Sequence, residues 1–97
     1  DEGDEIAKAL GDKKVAILQN HGILTTGPSV DIALWFYMSM ERCCQAQLMA
    51  ESAGKPISVP HETAIKTREF IANDIAAWAS YQPAFDKIIK MQPDLLD

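Results

Sequence analysis

The sequence predicts an α/β chain in which one β-hairpin is set among helices, and three observations predict it. Val15-Ala16-Ile17-Leu18 and Ile23-Leu24-Thr25-Thr26 are short apolar and β-branched runs on either side of Gln19-Asn20-His21-Gly22. Asn20 and Gly22 tolerate positive φ, so the chain can reverse sharply around the residue between them, His21. Before and after this unit, apolar residues recur at helical spacing and are bounded by capping and breaking residues.

In order, residues 1–10 read as a helix. Acidic residues crowd its first turn, Ile6 and Leu10 fall on one face, and Gly11 can supply a left-handed cap. That acidic cluster reads as a solvated start matched to the helix dipole. Strands follow at 14–19 and 22–26. Val15 to Leu18 is apolar at every position, as in strands covered on both faces, and a lone two-strand hairpin is marginal in water. The strands therefore belong to a larger sheet whose other members are not in this sequence.

Ser29 is a good N-cap for a helix over 29–53, with Asp31 in its first turn and Gly54 and Pro56 ending it. The segment Ile32 to Met40 is apolar almost all round, which requires cover on more than one side; Trp35, Phe36, Tyr37, Met38 and Met40 read as core or interface. Glu41 and Arg42 form a polar stripe, and Cys43 and Cys44 read as small buried apolar residues. After the linker 55–59, Pro60 opens a helix over 60–81 with His61 in its first turn, solvated. Pro83 then opens a last helix over 83–91, with Phe85, Ile88 and Ile89 facing inward, and Pro93 stops it.

Composition narrows the function classes. Ninety-seven residues suffice for one domain, and the sequence begins Asp1-Glu2-Gly3-Asp4 without a methionine, as a processed chain or fragment would. A net charge of -5 with pI near 4.8 argues against a nucleic-acid surface, which needs clustered Lys and Arg. There is no apolar run of membrane-spanning length. Two adjacent cysteines make no disulfide framework, which points to a reducing, cytoplasmic compartment. Thr25 to Ser29 leads into a helix N-terminus but lacks the glycine spacing of a phosphate loop, and Ser29 already serves as the cap.

The residue with chemical promise is His21. By residue type alone, a single histidine in a turn is more often a hydrogen-bonded turn residue than a ligand. The run LQNHGILTTGPSVDIALWFYMSMERCCQAQLMAESAG, preceded by EGDEIAKALGDKK, resembles the C-terminal half of the class II aldolase/adducin family, through the NHG turn, the TTG exit and a long helix holding Glu41, Cys44 and Gln47. The resemblance is good over residues 2–54 and looser beyond. It implies an α/β/α sandwich of which this chain is the C-terminal portion, a hairpin plus about four helices. It further implies that His21 is one of three imidazoles holding a divalent ion, usually zinc. The other two ligands, an HxH pair, and the family's acid/base carboxylate lie upstream of the matching region. This chain has only His21 and His61, so by itself it cannot supply a three-ligand catalytic site.

Three functions follow. The first is part of a metal-dependent lyase (aldolase, epimerase or decarboxylase) acting on a small hydroxy-carbonyl substrate, within a homo-oligomer, commonly a tetramer in the family, and joined to the missing N-terminal part of the domain. The second is a non-enzymatic, adducin-like assembly domain. The third is a small helical interaction module without catalytic chemistry.

Overall fold

A computed structural model describes residues 1–97. Helix α1 spans Glu2–Leu10, strands β1 and β2 span Val15–Leu18 and Gly22–Thr25, and helices α2, α3 and α4 span Val30–Ala53, His61–Ile71 and Asp74–Met91. A 3-10 turn over Pro93–Leu96 follows.

Local chemistry sets each boundary. The Asp1 carboxylate accepts from the Asp4 backbone N–H at 2.9 Å, and Gly11, at φ 54, closes α1. The strands pair antiparallel, Val15 with Thr25 through Leu18 with Gly22, leaving residues 19–21 as the bend. Ser29 caps α2 by accepting from the Ile32 N–H at 3.3 Å.

The exit from β2 is where hairpin and helix lock together. The Thr25 hydroxyl donates to the Ala33 carbonyl at 2.8 Å. A Cβ added at Gly27 would stand 2.9 Å from both the Ala33 nitrogen and Ile32 Cγ2, so only a glycine lets the chain pass this close to α2.

The core is small. Ile32 and Phe36, one turn apart on α2, pack with Ala77 of α4, and Val15 and Trp35 lean against them. Ala77 is fully enclosed, and its single methyl group lets α4 approach α2 closely. Three of the 97 residues are buried, and the radius of gyration is 15.9 Å against roughly 13 Å for a compact domain of this size. Ile17 of the all-apolar first strand is 65% exposed, and Ile57, Phe70 and Ile75 are exposed as well. A self-contained helical module needs more enclosed apolar surface than this.

Two expectations are corrected. The helices expected at 60–81 and 83–91 are instead His61–Ile71 and Asp74–Met91, so the break falls at Ala72-Asn73 and Pro83 lies inside α4. Asn73 decides this. Its side-chain NH2 donates to the carbonyls of Glu69 at 3.1 Å and Phe70 at 3.0 Å, while its Oδ1 accepts from the Ala76 N–H at 2.9 Å. One residue thus closes α3 and opens α4. Pro83 deprives the Ala79 carbonyl of its helical partner, a cost of about 3 kcal/mol in an isolated helix. Here α4 continues because residues on both sides of Pro83, Ala77 and Tyr81 before it and Ala84 and Phe85 after it, are buried or half-buried. Secondly, Cys43 is exposed and Cys44 only half-buried, because contact along α2 is concentrated in its first half, around Ile32 and Phe36. Glu41 and Arg42 are exposed there too, as a polar stripe.

Two outcomes test these locks. Gly27→Ala forces the β2 exit off α2 and lowers unfolding stability by about 1–3 kcal/mol, read from the denaturant midpoint. Asn73→Ala removes the shared cap and costs about 1 kcal/mol, whereas Asn73→Asp, which keeps the acceptor for Ala76, recovers part of the loss in the same titration.

Candidate functional site

The site begins with the bend. The His21 N–H donates to the Leu18 carbonyl at 3.2 Å, closing the reversal. Asn20 at φ 61 and Gly22 at φ 139 take the two positive-φ positions flanking His21. Both are residue types suited to that backbone, and between them the His21 side chain stands out from the hairpin, 68% exposed.

Helix α1 supplies the facing wall. Its nine residues and the four of β1 both span about 13 Å. The two elements pack together across a short reversal, so the start of α1 comes level with the bend beyond Leu18. Glu2 therefore meets His21, with Glu2 Oε1 3.7 Å from His21 Nε2. That is a polar contact slightly longer than a hydrogen bond. The pair lines a shallow hollow of about 290 Å³, with Glu5 and Gln19 as further polar walls and Ile6 and Ile17 as apolar ones. No lysine or arginine lines it, so its charge is negative, and it favours a cation.

A larger hollow, about 700 Å³, lies at the other end of the strands, between Lys14, Phe36, Arg68 and Asn73. Its two lysines are engaged within the fold. Lys14 donates to the Ala72 carbonyl and stands 5.0 Å from the Phe36 ring centroid. Lys13 pairs with Asp12 at 3.2 Å, and its hydrogen bond and charge hold the Asp12 carboxyl below the usual carboxylate range. This hollow fastens the hairpin to the α3–α4 corner.

Of the chemistry-bearing residues singled out from the sequence, the structure sets His21 beside a hollow and leaves His61 exposed at the start of α3. No three His, Cys, Asp or Glu side chains converge anywhere in the chain, so neither His61 nor the cysteines complete a ligand set with His21. Glu2 is the residue that sequence reasoning passed over as a helix-start acid. The sequence carries no signal for it, since the matched lengths of α1 and β1 that bring the two ends together are those of the folded elements.

Known proteins resemble this chain in sequence and in fold. Residues 1–48, from α1 through most of α2, match the family model described as the class II aldolase and adducin N-terminal domain. The chain is 39% identical over 95 residues to the decarboxylase NovR of Streptomyces niveus. It is 37% identical over 95 residues to the 4-hydroxy-3-prenylphenylpyruvate oxygenase/4-hydroxy-3-prenylbenzoate synthase of Streptomyces roseochromogenus subsp. oscitans. These matches cover 98% of this chain and 35% and 34% of those proteins, so the chain spans about a third of their length. In three dimensions it superimposes on the L-fuculose 1-phosphate aldolase of Glaciozyma antarctica PI12 with a TM-score of 0.92 at 37% identity, covering 97% of this chain and 38% of that one. The hairpin and four helices are thus part of an aldolase-like α/β fold, related to class II aldolase-like lyases and decarboxylases. The chain belongs to the class II aldolase/adducin family.

Proposed function

We propose that this chain is the His21-bearing part of a metal-dependent lyase of the aldolase or decarboxylase type, acting on a small hydroxy-carbonyl substrate. The observation that carries the reading is the placement of His21. A single imidazole stands out of a bend fixed by two positive-φ residues, beside a hollow without positive charge, in a chain whose relatives include an aldolase and a decarboxylase.

The donor chemistry fits one corner of a metal site. A neutral imidazole nitrogen suits zinc and other first-row divalent ions, and the hollow's carboxylates favour a cation. A catalytic ion needs three protein ligands with an open position, so two further ligands come from outside these 97 residues. When bound, such an ion supplies Lewis-acid stabilisation of the negative charge left on the substrate's oxygens as a carbon–carbon bond breaks. The chain's own residues aim the ligand: Asn20 and Gly22 hold the bend, and the Leu18 carbonyl fixes the His21 backbone. The apolar residues left exposed, among them Ile17, Phe70 and Ile75, suit burial against the rest of the domain and against other subunits of a homo-tetramer.

A second reading, a non-enzymatic assembly domain, is favoured by one observation. The chain is 36% identical over 64 residues to the adducin-related protein 1 of Caenorhabditis elegans, covering 9% of that protein. An HxH pair preceding Asp1 in the whole protein selects the enzyme, and its absence selects the scaffold.

The test is metal content. In the whole protein, His21→Ala lowers affinity for zinc by more than the about 10–100-fold that loss of an outer-shell partner costs, with lyase activity falling alongside and the circular dichroism spectrum unchanged. Full zinc occupancy in the His21→Ala protein, measured by elemental analysis, sinks the proposal.

A further inference from the structure

We draw no further inference here: the strongest candidate, the apolar groove of about 450 Å³ between α2 and the α3–α4 corner, walled by Trp35, Phe36, Phe70 and Ile71, is an unpartnered face, and nothing in the structure shows whether the rest of the domain or a second copy of the chain covers it.

Discussion

The close approach of the β2 exit to the first turns of α2 is the constraint on which the rest of the chain depends. The Thr25 hydroxyl bonds the Ala33 carbonyl, and Gly27 passes where a methyl group would meet both backbone and side chain of the helix. This contact turns a two-strand hairpin, marginal by itself, into a fixed arm of the helical layer. Ile32 lies at the same point, so the contact that anchors the hairpin also seats α2 on α4 through Ile32, Phe36 and Ala77. Lys14 ties the far end, from the start of β1 to the Ala72 carbonyl and the Phe36 ring. The hairpin is thus held at its exit and its entry, and its bend is free to face outward.

What the bend presents follows from backbone stereochemistry. Residues flanking His21 sit at positive φ, which Asn and Gly accept at low cost, so the reversal is tight and the imidazole leaves the hairpin. The surrounding charge follows from helix chemistry. Acids gather at the start of α1 because the helix dipole favours them there, and packing α1 against β1 carries that negative end to the histidine. A feature that stabilises a helix start thereby lines a cation-favouring hollow.

The enclosed core is too small to account for the apolar content of the chain. With 47% of residues hydrophobic and three buried, the all-apolar β1 and much of α3 and α4 present surface that ordinary domains cover. That agrees with a chain spanning about a third of its relatives' length and superimposing on 38% of a solved aldolase. The geometry nevertheless matches that aldolase with a TM-score of 0.92. Caps, turns and one helix crossing carry the arrangement, and these are local or nearly so.

Local chemistry is also what the sequence by itself determined. The bend at Asn20-His21-Gly22, the Ser29 cap, the Gly11 stop and the amphipathic start of α1 each depend on neighbours within a few residues, and all were legible. The break between α3 and α4 was misread because Pro83 is the stronger local breaker. Packing around Pro83 and the two-way cap of Asn73 outweighed it, and the number of partners a side chain finds is a property of the folded neighbourhood. Tertiary structure alone decided that Glu2 meets His21, since the two lie on different elements and their encounter requires α1 to pack back along a strand of matching length. It decided too that Cys43 lies open, because burial depends on what covers a helix face, which a periodic pattern cannot specify.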